Sequence, residues 1–184
     1  TTDIDLQKQK GLDRYGSKGL RGIRRTPAIR FKNLYVDNAT GQPNGKGTYY
    51  GGFFYVLQGN VKDLTIDGAE VTCYRGGTLV GRMDYGTVEN CHMKNTTIKS
   101  VQKSADLIGF VSTSSKDVTV RNCSVTACSI DVFNPGTFTY CSQAAGLIGI
   151  SDFERNVLIE GCSVSGITLN NTYKGQDADS YCDG

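Results

Sequence analysis

One short pattern recurs along the chain and limits what it can fold into more than any other feature. Set under one another, "FKNLYV" (31–36), "VKDLTI" (61–66), "VENCHM" (88–93), "VRNCSV" (120–125) and "IEGCSV" (159–164) share one order: apolar, any, small polar or Gly, Leu or Cys, any, apolar. The anchors are Leu34, Leu64, Cys91, Cys123 and Cys162, spaced 30, 27, 32 and 39 residues apart. A second apolar element follows the later copies at Val71, Ile98, Ile130 and Leu169. A third, Gly-rich element reads "GGFFYV" (51–56), "GGTLVG" (76–81), "ADLIGF" (105–110) and "AGLIGI" (145–150). Three short alternating segments per repeat, separated by Gly, Asn, Ser and Asp, predict an all-β parallel solenoid. In such a solenoid each coil gives one strand to each of three sheets, and equivalent side chains stack from coil to coil.

Composition agrees with many strands and turns. The 184 residues include 23 Gly but only 3 Pro and no Trp, and a chain of this length is most economically one domain with its own core. The formal net charge of +2 gives no global reason to expect nucleic acid or an acidic membrane surface as partner. Charge is uneven, with eight basic and three acidic residues in 1–30 giving +5 there and −3 over the remainder. The basic stretch "KGLRGIRRTPAIR" is therefore expected to cover the open end of the stack, making 1–28 a capping segment and 29–184 the repeat domain. No run of about 18 apolar residues predicts a membrane span. Without an initiating Met or an apolar export segment, the chain reads as mature or excised, possessing about five coils and stopping before the fifth is complete.

With the repeats laid out, "GGTLVG", "ADLIG" and "AGLIG" resemble the core of the GLUG motif, and "GGTLVGRMDYGTVENCHMKNTTI" resembles one complete GLUG-type repeat. The resemblance covers roughly residues 29–170. It implies a right-handed parallel β-helix of pectin-lyase-like type, from a secreted or surface-attached bacterial protein in which such repeats are non-catalytic stalk or binding segments.

His92, the only histidine, follows Cys91, but alternation along a strand turns the two to opposite faces, so they cannot share a metal. Cys91, Cys123 and Cys162 are expected to stack inward as small hydrophobes. Lys62, Glu89, Arg121 and Glu160 should form an outward cross-coil charge ladder. No catalytic motif, metal site or cofactor site is predicted. Binding, if present, is expected on the edge where insertions emerge, at 38–50, 133–143 and 170–181, through Tyr49, Tyr50, Phe133, Phe138, Tyr140 and Tyr173. A host or cell-surface glycan or protein is the expected partner; the same aromatics would equally pack the loops onto the body. The rival expectation is a carbohydrate-active β-helix enzyme using Asp84, Asp106 or Asp152. A purely structural spacer within a larger surface protein is the third.

Overall fold

The computed structural model describes residues 2–5, 29–32, 35–37, 50–112, 117–132, 142–151, 156–171 and 180–182. All regular structure among them is β-strand. In chain order the strands are β1 (Thr2–Asp5), β2 (Ile29–Lys32), β3 (Tyr35–Asp37), β4 (Tyr50–Gly51), β5 (Phe54–Gln58), β6 (Val61–Asp67), β7 (Glu70–Cys73), β8 (Arg75–Gly77), β9 (Val80–Lys94) and β10 (Thr97–Ser100). They continue as β11 (Lys103–Ala105), β12 (Ile108–Val111), β13 (Val118–Arg121), β14 (Ser124–Thr126), β15 (Ser129–Val132), β16 (Ser142–Ala145), β17 (Val157–Glu160), β18 (Ser163–Ser165), β19 (Thr168–Asn171) and β20 (Ser180–Cys182).

Three sheets result, and every strand pairing in them is parallel. Two have five strands each, ordered β3-β7-β10-β15-β19 and β4-β8-β11-β16-β20. The third has ten, because the 15-residue β9 turns through positive-φ residues at Gly86 and Asn90 and pairs with β5 and β12 at its start and with β6, β13 and β14 further on. The protein is thus all-β and built of parallel sheets, with neighbours in each sheet supplied by successive repeats.

Register follows the sequence pattern from the second repeat onward. Leu64 lies opposite Cys91, Thr65 opposite His92, His92 opposite Ser124, and Ser124 opposite Ser163. Val71, Ile98, Ile130 and Leu169 form one row. The first repeat departs from the expected alignment. Ile29, not Leu34, lies opposite Leu64, and Phe31 lies opposite Ile66. Val36 then falls opposite Val71. The string "FKNLYV" matches the pattern because it straddles the end of one strand and the start of the next. Residues 2–5 add a further strand outside Ile29–Lys32. The rest of 1–28 is outside the described residues.

The anchor pattern has a conformational cause. Its small polar or Gly position holds Asp63, Asn90, Asn122 and Gly161, all at φ between 51° and 62°. Asn, Asp and Gly tolerate this left-handed region best, so the strand turns a corner at each of these four positions. A second stacked corner at Gly68, Asn95, Ala127 and Gly166 carries the chain into the next sheet. The cysteines are placed by these corners. Cys91, Cys123, Cys162 and Cys128 each follow a left-handed residue, and each Sγ donates to the carbonyl two residues back, at 3.2–3.4 Å. A thiol at that position fills apolar space and also offers a weak donor to a carbonyl at the corner, which at Thr126 and Glu160 accepts a backbone N–H of the preceding repeat as well.

The Gly-rich element divides between two sheets, where the sequence predicts one strand. Its first half joins the β8-β11-β16 ladder, and after a corner containing buried Leu79 or Leu107 its second half joins the ten-stranded sheet. The chain folds back so closely that backbones touch. A Cβ on Gly149 would lie 2.6 Å from the Gly109 carbonyl oxygen and 2.8 Å from that of Ser104. A Cβ on Gly77 would lie 2.6 Å from both Gly109 N and the Val80 carbonyl oxygen. Only glycine fits these positions. Inside, rows such as Ile66-Met93-Val125 and Val71-Ile98-Ile130 form the core, each side chain at 1% exposure or less. Each such side chain contributes roughly 1.5–3 kcal/mol of burial.

Candidate functional site

The ten-stranded sheet brings one binding candidate and one catalytic candidate together on its outer side. Phe110, Arg82 and Val56 lie on adjacent strands in register. Asp84, two residues beyond Arg82, shares its face by strand alternation. Tyr50 reaches this face from β4. Its ring stacks on Phe110, with centroids 5.8 Å apart and planes 20° apart, and meets Tyr55 edge-on at 5.8 Å. The Arg82 guanidinium carbon is 6.0 Å from the Tyr50 centroid, within cation–π range. Its Nε donates to Asp84 Oδ1 at 2.6 Å, while Gln58 Nε2 donates to Oδ2 at 2.7 Å. Burial works to lower the pKa of Arg82, and the hydrogen bond and charge of Asp84, followed by Tyr50, together more than reverse it, so the guanidinium is held above its ordinary range.

This arrangement fixes what each residue can do. Both oxygens of Asp84 are engaged and its side chain is nearly buried, so it serves as the brace of Arg82 rather than as a free acid or base. Tyr50 is 2% exposed. That corrects the expectation of a loop aromatic open to a ligand: β4 pairs with β8, and stacking against Phe110 removes the ring from solvent. Tyr55 is the aromatic of this group that reaches water, at 37% exposure beside the one-third exposed Arg82. Tyr49, Phe133, Phe138, Tyr140 and Tyr173 lie outside the described residues, as does Asp152.

Asp106 occupies a different environment. It is fully buried, and Thr96 Oγ1 donates to its Oδ1 at 2.8 Å. Burial pushes its carboxyl up to about 7, opposed in part by hydrogen bonds from Thr96 and Cys128. An acid sealed among Thr96, Cys128 and the core does not reach a substrate. His92 is held on the outer face between Ser124 Oγ, 2.8 Å from Nδ1, and Asn90 Oδ1, 3.0 Å from Nε2. One neutral tautomer satisfies both contacts, and partial burial followed by the charge of Lys94 lowers the pKa of this ring.

Elsewhere the outer polar side chains pair along the stack. Arg121 Nη2 donates to Glu89 Oε2 at 3.5 Å; its Nε is 3.3 Å from Oε1 but poorly aligned for a hydrogen bond, and Nη1 is 4.0 Å from Glu160. Asn90 donates to Asp63, Asn95 to Asp67 and Asn170 to Asp131, all at 2.7–2.8 Å. Among the described residues, no group of three or more His, Cys, Asp or Glu side chains is arranged to hold a metal ion.

The Arg82, Asp84 and Tyr50 grouping was missed in the sequence because its members come from different repeats. The one readable signal was the i, i+2 spacing of Arg82 and Asp84 on a strand. Fold and site together define an all-β protein of parallel sheets with a braced aromatic and guanidinium cluster on its outer face. Set against known proteins, the chain matches no family model, no curated protein and no solved structure.

Proposed function

We propose that this chain is a right-handed parallel β-helix of the GLUG-repeat type, serving as a non-catalytic module of a secreted or surface-attached bacterial protein. Its role is adhesion through a glycan or protein ligand. The observation that carries this reading is the contrast on the outer face. Asp84 and His92 have their polar atoms engaged in contacts within the fold, whereas Tyr55 and Arg82 stand partly exposed on a rigid, braced support. An aromatic ring beside a guanidinium gives apolar contact and donors together, which suits a sugar ring or an aromatic-containing peptide. The stacked corners and the "GTLVG", "ADLIG" and "AGLIG" steps support the β-helix reading, since each places the same backbone bend at the same point of successive repeats.

The test is a glycan and matrix-protein array of the intact chain beside a Tyr55→Ser variant. Binding that is lost in a variant with an unchanged circular dichroism spectrum supports the reading. An intact chain that binds nothing favours the structural spacer. Turnover of a polysaccharide, abolished by Asp84→Asn, would favour the enzyme.

A further inference from the structure

Three of the described cysteines stand in one row. Glu89, Arg121 and Glu160 are ladder partners in turn, and so are His92, Ser124 and Ser163. Cys91, Cys123 and Cys162 lie between these two sets at matched positions, one ladder step apart. Cys91 and Cys123 are closed off from solvent, and the Cys123 N–H donates to Cys162 Sγ at 3.5 Å. Contact with the Cys123 thiol is the largest cause raising the pKa of Cys91, and contact with the Cys91 thiol is the largest lowering that of Cys123. The other described cysteines have no such neighbour, since Cys73 lies opposite Ser100 and Cys128 falls opposite Thr96. Apolar packing asks only for a side chain such as Leu64, which holds the same row one repeat earlier. Three sulfurs at consecutive steps add the reach to bond with one another.

We infer that Cys91, Cys123 and Cys162 form a reversible disulfide site, in which the central sulfur of Cys123 bonds to either neighbour. A ladder step of about 4.8 Å falls within the roughly 4.4–6.8 Å between Cα atoms that a disulfide spans. Two steps, about 9.6 Å, do not, so every bridge within the row includes Cys123. Side chains that point the same way leave the Cβ atoms farther apart than the roughly 3.8 Å of a relaxed bridge. Neighbouring strands must therefore close slightly, and the bond is correspondingly easy to reduce. The oxidant is a low-molecular-weight disulfide, which meets the row while the repeats are still open during folding. One row thiolate attacks a sulfur of that disulfide, forms a mixed disulfide and releases one small thiol. The neighbouring row thiolate then attacks the same protein sulfur and releases the second, so two protein thiols pass two electrons and two protons to the reagent. The third thiol is left one step from the bridged Cys123 sulfur, on the side away from the bonded partner. Its thiolate attacks there, bonding to Cys123 and expelling the other cysteine, which takes up the proton, and no electrons leave the protein. The bridge ties adjacent repeats across 32 residues of chain in one form and 39 in the other.

The experiment refolds the intact chain in buffers of reduced and oxidised glutathione, alkylates the remaining thiols, and maps the bridges by proteolysis and mass spectrometry without reduction. The expected product has the circular dichroism spectrum of the reduced protein and is lighter by about 2 Da for each bridge formed. Cys123 is found joined to Cys91 in part of the sample and to Cys162 in the rest, while Cys73 and Cys128 are alkylated. Cys162→Ser should gather Cys123 onto Cys91, Cys91→Ser should gather it onto Cys162, and Cys123→Ser should leave both neighbours free of each other. Three results would overturn the inference: Cys123 alkylated in the folded wild type at the most oxidising ratio, Cys123 joined to a cysteine outside the row, or a Cys91–Cys162 bridge in folded Cys123→Ser. The wild-type map decides the first two without any variant, and none of these outcomes depends on ligand binding.

Discussion

Asp106 should make the protein less stable as pH rises through the mildly acidic range, the opposite of the usual behaviour of a carboxylate. Its carboxyl moves from 3.8 to about 7 on folding, chiefly through burial. The native state therefore holds a proton that the unfolded chain releases, and stability declines wherever the native state binds more protons than the unfolded one. The effect is absent below about pH 4, grows between about 4 and 7, and is complete above that. A shift of about three units at 1.36 kcal/mol each gives on the order of 4 kcal/mol. Asp106→Asn removes the titration whatever it does to baseline stability, so the quantity to read is the slope. Urea unfolding of both proteins at several pH values between about 4 and 8 should show the wild type losing stability relative to the variant by that amount. His92 acts in the opposite sense, since its lowered pKa costs stability as pH falls, but both proteins carry it and it cancels in the difference. Parallel stability profiles for the two proteins would refute the placement of Asp106 in the dry interior.

Three further outcomes follow from the packing. Gly109→Ala puts a methyl group against the Gly76 backbone and should cost about 2–3 kcal/mol, a Tm fall of roughly 5–10 °C by calorimetry. Gly166→Ala, whose Cβ would meet nothing closer than 3.4 Å, should cost only the roughly 1 kcal/mol of a left-handed residue. Among the described cysteines, Cys162 should react first with a maleimide under native conditions, followed by mass spectrometry. Cys73, whose thiol is pushed up to about 12 by burial, should react only on unfolding. Arg121→Ala should change unfolding free energy by less than about 1 kcal/mol, because Arg121 and its partners on the outer ladder are a third or more exposed to solvent.

The repeat was legible because it is written twice, in the apolar alternation and in the corner residues. Asp63, Asn90, Asn122 and Gly161 differ in charge and size across the set, yet all tolerate the same backbone conformation, and they fix the register that pairs Leu64 with Cys91. The charge ladder through Glu89, Arg121 and Glu160 was readable for the same reason. The first repeat misled because "FKNLYV" matches the pattern across a strand boundary, while the true ladder partner, Ile29, sits five residues earlier in a basic stretch. For Tyr50, at the end of a long insertion, the sequence leaves both binding and packing open. Its burial depends on Phe110, sixty residues away, and no local pattern reports that contact. The second set of corners hid behind Ala127, a residue that does not advertise a positive φ.

The central claim is that successive repeats stack in parallel and in register. Lys32, Asp67, Lys94, Thr126 and Ser165 occupy one such ladder. Spin labels placed pairwise along it and measured by pulsed electron resonance test the claim most directly. Backbone separations should grow by about 4.8 Å per step, reaching roughly 19 Å between positions 32 and 165. A separation well beyond 30 Å, or distances that do not increase in ladder order, would contradict the stacked arrangement.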